Sequence, residues 1–238
     1  MTKYQPDHAD YQQFRKNRLD KVYDLLYNIR TGLKKREWKM NKIELPSSAE
    51  DIQNLYNEVA EVFDKKSLGE VILAGGAVRD RILNLHPRDY DFFVRPPEGE
   101  DLDDWNVYVC ALMAEKMEAL LPYGTRGGLA YPDERFVTYT ITTKDRRLLQ
   151  FVTCSKEHFP DPEGLVAGFD HDLVRCYLSK DGLFVDERFQ RAVSSGRVPT
   201  ETEDARRRLL NWRDRTGYKI TIGKPPQKKA EKTDSVYW

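Results

Sequence analysis

The segment from Val71 to Val94 constrains this chain more than any other. Val71-Ile72-Leu73-Ala74 is a short apolar run that reads as a buried strand, and Gly75-Gly76 stops it. Residues 77–85 carry Val78, Ile82 and Leu83 at helical spacing. His86-Pro87-Arg88 turns the chain out, because proline cannot continue a helix. Residues 89–94 form a second strand, starting Asp89-Tyr90-Asp91. The pattern predicts strand, glycine turn, short helix and strand in quick succession.

That order has chemical content. A strand ending in two glycines exposes backbone N–H groups to an anion without obstructing side chains, and a following helix start favours negative charge. Arg79, early in the helix, is placed to add a bidentate contact to phosphate. Asp89 and Asp91 share one face of their strand, because strand side chains alternate. Two carboxylates so spaced suit a hard divalent ion, most naturally Mg²⁺. A phosphate cradle beside a metal-binding acid pair is what phosphoryl or nucleotidyl transfer requires. Each piece alone has a plain alternative: most Gly-Gly pairs are only turns, and most Asp-x-Asp pairs are only solvated.

Taken together, Gly75, Gly76, Val78, Arg79, Asp80, Pro87, Asp89 and Asp91 resemble the signature of the poly(A) polymerase and CCA-adding (tRNA nucleotidyltransferase) branch of the polymerase β-like nucleotidyltransferases. The resemblance covers residues 70–95 and extends in outline to about residue 190. It implies an α+β fold: a mixed β-sheet core with N-terminal helices and a C-terminal helix. It also implies a nucleotidyltransferase that moves NMP from a nucleoside triphosphate to an acceptor hydroxyl, with Mg²⁺ or Mn²⁺ as cofactor. Gly75, Gly76, Arg79 and Asp80 would bind the nucleotide, while Asp89 and Asp91 would be catalytic and hold the metal. RNA is an implied partner. The alternative is a catalytically inactive protein of the same fold that binds nucleotide, nucleic acid or a protein.

The chain departs from that pattern in three places. The family draws a third carboxylate from a later strand, but the matching strand Leu148-Leu149-Gln150-Phe151-Val152 offers Gln150, which has no negative charge. Asp170 and Asp172 either compensate or belong to a plain turn after a helix. Only about 50 residues follow the Lys180-Asp181-Gly182 hairpin, too few for the family's long helical regions, and the N-terminal helices are additional.

Elsewhere the pattern predicts a long amphipathic helix over residues 9–35. A second helix opens at a Ser48/Asp51 capping box and buries Ile52, Leu55, Val59, Val62 and Phe63. A helix is expected over 105–121 and a flexible turn over 124–128. Strands are expected over 136–142 and 148–153, with a hairpin of 173–178 and 183–185. Residues 188–212 read as helical with a break at Gly196-Arg197-Val198-Pro199. The expected division is a helical extension over 1–66, the core over 67–190, a helical segment over 191–222 and a disordered basic tail over 223–238.

Composition excludes other classes. No apolar stretch approaches the roughly 18 residues of a spanning helix, and the polar start argues against a secretory leader. Cys110, Cys154 and Cys176 are an odd, widely spaced set, so a disulfide framework is not expected and a reducing, cytoplasmic setting is. His8, His86, His158 and His171 have no zinc-like spacing with them. The 39 basic and 39 acidic residues cancel but are segregated: 11 against 5 in residues 1–42, 2 against 9 in 89–118, and 10 against 2 in 206–232. Such basic ends fit nucleic acid or polyphosphate, or are simply solvated helix faces. Arg206, Arg207, Arg208, Trp212 and Arg213 likewise read either as a stacking, charged strand-binding face or as a helix that packs Leu209, Leu210 and Trp212.

Overall fold

The computed structural model describes residues 40–117, 136–156 and 159–224. The helix expected over 9–35, the turn over 124–128, the end of the helix expected to reach 121 and nearly all of the tail expected over 223–238 lie outside the described residues. The centre is a mixed sheet of seven strands: β1 (Met40–Ile43), β2 (Glu70–Ala74), β3 (Tyr90–Arg95), β4 (Phe136–Thr142), β5 (Leu148–Cys154), β6 (Cys176–Ser179) and β7 (Gly182–Asp186), ordered β1-β7-β6-β2-β3-β5-β4. All neighbours are antiparallel except β3 and β5, which run parallel. This is the expected α+β architecture.

Among the described residues, six helices accompany the sheet: α1 (Glu50–Lys66), α2 (Gly76–Ile82), α3 (Leu102–Lys116), α4 (Pro162–Ala167), α5 (Glu187–Ser195) and α6 (Glu203–Thr216). A short parallel pair, β8 (Arg197–Val198) and β9 (Thr221–Ile222), brackets α6. The expected break at 196–199 therefore exists, and it is a small strand.

The sheet has two distinct faces. Along β3, Tyr90, Phe92 and Val94 point into the larger core, beneath α1, α2 and α3, while Asp91, Phe93 and Arg95 point the other way. Phe92 stacks on Phe151 with centroids 5.4 Å apart, and Phe63 of α1 meets Trp105 of α3 edge-on at 6.0 Å. Each such buried apolar side chain contributes about 1.5–3 kcal/mol. On the opposite face, α4 lays Leu165 and Val166 against Ile72, Val152 and Tyr177.

Two local expectations are corrected. Ser48 and Asp51 do not form a capping box, because α1 starts directly from a 3₁₀ turn, Ser47–Ala49, and has no side-chain cap. Instead the Ser48 hydroxyl donates to the Arg81 carbonyl at 2.8 Å, and Asp51 accepts from Arg81 Nε at 2.8 Å, so both residues fasten α1 to α2. The hairpin's first strand starts at Cys176 rather than 173, since Asp172–Val174 is a 3₁₀ turn. Residues 40–66, read from sequence as part of a helical extension, are built into the core: β1 pairs with β7, and Ile52, Leu55, Val59 and Phe63 are all buried.

Candidate nucleotide site

Strand register builds the site. Ala74, the last residue of β2, pairs with Asp91 of β3, and Asp91 pairs in turn with Gln150 of β5. The chain therefore leaves β2 through Gly75-Gly76 directly beside the acidic end of β3. Opposed residues share a face of a sheet, so Asp91 and Gln150 lie side by side on the face that carries α4. Asp89, two residues earlier, is half-buried just before the strand begins.

Gly75 has φ 78° and ψ −130°, a backbone state that glycine adopts without the steric cost other residues incur. Its N–H donates to the Cys176 carbonyl at 3.1 Å, which anchors the turn to β6. A Cβ on Gly75 would lie 3.7 Å from Phe169, whose ring also packs on Phe93 with centroids 5.3 Å apart. α2 has only seven residues, so the candidate anion donor is the Gly76 amide rather than a helix dipole.

Burial, and then the neighbouring Asp89 charge, push the Asp91 carboxyl up to about 7. Among the described residues no cation acts on Asp91 to offset burial and the Asp89 charge. The hard oxygen donors of this acid pair suit Mg²⁺ or Mn²⁺. Among the described residues, no three His, Cys, Asp or Glu side chains gather to hold a metal. Gln150, opposite Asp91, brings no charge, so the pair alone fits an ion that draws its remaining ligands from nucleotide phosphates and water.

Asp170 and Asp172 are engaged with arginines. Asp170 pairs with Arg208 of α6, and Asp172 lies 3.6 Å from Arg175 and 4.0 Å from Arg188. His171, between them, is buried, and burial together with the charges of Arg79, Arg208 and Arg175 holds its imidazole down to about 3. It is neutral at physiological pH.

Arg79 and Asp80 lie behind the turn. Arg79 is 6% exposed and Asp80 1%. Arg79 Nε and Nη2 both approach Asp80 Oδ1 at 2.7 Å, and Nη2 lies 3.6 Å from where a Cβ on Gly76 would stand. Trp212 is 5% exposed, so it packs inside rather than stacking on a nucleic acid, while Arg206 and Arg207 pair along α6 with Glu203 and Asp204. Sequence reasoning missed the part that Trp212 plays here: its indole N–H donates to Asp80 Oδ1 at 2.8 Å.

Known structures share this fold. The Thermotoga maritima CCA-adding enzyme complexed with tRNA superposes with a TM-score of 0.52 at 15% identity, over 78% of this chain and 43% of that one. A CCA-adding enzyme complexed with CTP gives 0.50 at 16% identity, over 78% and 44%. The chain spans less than half the length of these structures. No family model matches it, and no curated protein does. The likeness is one of fold: an α+β core resembling a nucleotidyltransferase head. Among the described residues, no helix is long and apolar enough to cross a membrane.

Proposed function

We propose that this chain binds a nucleoside triphosphate together with Mg²⁺ or Mn²⁺ and transfers NMP to an acceptor hydroxyl, releasing pyrophosphate. The observation that carries this reading is the Ala74–Asp91 register, which sets the glycine turn beside the acid pair. The backbone amide of Gly76 takes the phosphates while that of Gly75 stays on the Cys176 carbonyl, and the missing side chains at both positions let the triphosphate approach closely. Arg79, held by Asp80, lends positive charge from beneath the turn. Asp89 and Asp91 hold the ion. When bound, that ion supplies polarisation of the α-phosphate and a lower pKa for the attacking hydroxyl.

An RNA hydroxyl is the favoured acceptor, because fold neighbours are complexed with tRNA and CTP, and the protein is expected to work in the cytoplasm. The test is incubation with labelled nucleoside triphosphates, Mg²⁺ or Mn²⁺, and total RNA. Label entering RNA with wild type, and none with Asp89→Ala or Asp91→Ala, supports transfer. Absence of label with either metal removes it.

A second reading has its own observation. Gln150 stands beside Asp91 where another charge would strengthen the metal site. A protein with this arrangement that binds nucleotide without turning it over would show saturable nucleotide binding and no labelled product.

A further inference from the structure

Arg79 and Asp80 are adjacent residues of α2, and adjacent helical side chains point about 100° apart. Helix geometry alone does not bring them together. Something outside α2 turns them toward each other, and α6 supplies it. Trp212 Nε1 donates to Asp80 Oδ1 at 2.8 Å, the same oxygen that Arg79 approaches. Arg215 Nη2 reaches Asp80 Oδ2 at 3.4 Å. The Trp212 ring lies 4.3 Å from the Arg79 guanidinium carbon, so one indole both holds the carboxylate by its edge and supports the cation on its face. Arg79, Asp80 and Trp212 are buried, where such contacts are stronger than in water, while Arg215 reaches in from the exposed side of α6.

α6 also grips the other wall of the turn. Arg208 pairs with Asp170, the residue after Phe169, whose ring closes on Gly75. One helix, about 130 residues downstream in sequence, therefore braces the glycine turn from both sides.

We infer that α6 is a working part of the nucleotide site, with Trp212 the positioning residue that holds Asp80 and Arg79 beneath Gly76; this rests on reading the glycine turn as the phosphate site. Trp212 touches no ligand itself. It fixes where the Arg79 charge sits and how still it stays, which lowers the ordering cost when a triphosphate arrives.

The test uses the full chain with magnesium tripolyphosphate, a probe without a base, and with MgATP, measured by calorimetry. Trp212→Phe keeps a ring under Arg79 and removes the indole N–H; Trp212→Leu removes both. Affinity should fall about tenfold in the first and further in the second, measured on folded protein well below the melting midpoint. Asp80→Asn, which retains the Oδ1 acceptor, should lose less than Asp80→Ala. In wild type, the assigned Trp212 indole N–H resonance should shift on titration, with the same dissociation constant as calorimetry.

Equal affinity in wild type and Trp212→Phe would overturn the inference while leaving the phosphate reading intact. Wild type that binds neither probe overturns the phosphate reading, and the inference with it. If Trp212→Phe does not fold, the wild-type resonance decides: an indole signal unmoved at saturation rejects the coupling.

Discussion

Asp91 and Gln150 stand opposite each other across the parallel β3–β5 ladder. An amide there can lend an oxygen to a cation but no charge. Gln150→Glu should therefore strengthen Mn²⁺ binding by about tenfold or more, since a unit charge a few ångströms away is worth several kcal/mol at intermediate dielectric. Calorimetric titration of Mn²⁺ into both proteins checks this. Equal affinities would mean that Gln150 does not face the ion.

Asp170 is bound to Arg208 and Asp172 lies beside Arg175 and Arg188, so neither is expected to compensate. Asp170→Ala should leave Mn²⁺ affinity unchanged and cost about 0.5–1 kcal/mol of stability, as for a partly exposed ion pair. Loss of metal binding in that variant would place Asp170 in the site.

The Asp91 carboxyl, raised to about 7, gives metal-free protein a pH signature. Unfolded chain loses this proton near pH 4, whereas folded chain keeps it until about 7, so folded protein binds more protons in between. Stability contributed by the protonated form is lost as pH rises through that window. Asp91→Asn should flatten the slope in urea unfolding between pH 4 and 7. An unchanged slope would remove Asp91 as its source.

His171 predicts a slope of opposite sign. Its folded pKa is about 3 against 6.5 for the free side chain, so below 6.5 the unfolded chain takes up a proton that the folded chain refuses. Stability falls on acidification from 6.5 towards 3, by up to about 1.4 kcal/mol per pH unit from this group. His171→Gln should remove that component. Urea midpoints of both proteins at pH 7 and 5 are the measurement, and a constant difference between them would reject the assignment.

Gly69 should tolerate no side chain. It has φ 89°, and a Cβ there would sit 2.2 Å from the Arg95 carbonyl oxygen. Gly69→Ala should cost more than about 2 kcal/mol, combining backbone strain with a clash against main chain. A shift of the urea midpoint corresponding to less than 1 kcal/mol would show that the loop rearranges cheaply.

What could be read from sequence was what local pattern encodes. The β2, Gly75-Gly76, α2 and β3 succession follows from apolar runs, two glycines and a proline acting within a few residues of one another. β1, Met40-Asn41-Lys42-Ile43, carries no strand signal of its own and exists because β7, some 140 residues away, offers it a partner. α4 shows in the sequence only as a helix of unstated bounds before Asp170, although Asp161 caps it and Pro162 opens it, a usable signal in a short helix. Ser48 and Asp51 misled because a capping box and a tertiary tie to Arg81 draw on the same residue types. The contact between Asp80 and Trp212 spans 132 positions, and no local pattern reports it.

The β8–β9 pair has a kinetic consequence. Arg197–Val198 and Thr221–Ile222 join the chain just before α6 to the chain just after it, closing a loop around the helix. A helix fastened at both ends cannot fray gradually from one of them. Its release should be all-or-none, with the Trp212 indole, the β8 and β9 amides and the α6 backbone exchanging their hydrogens as a single cooperative unit.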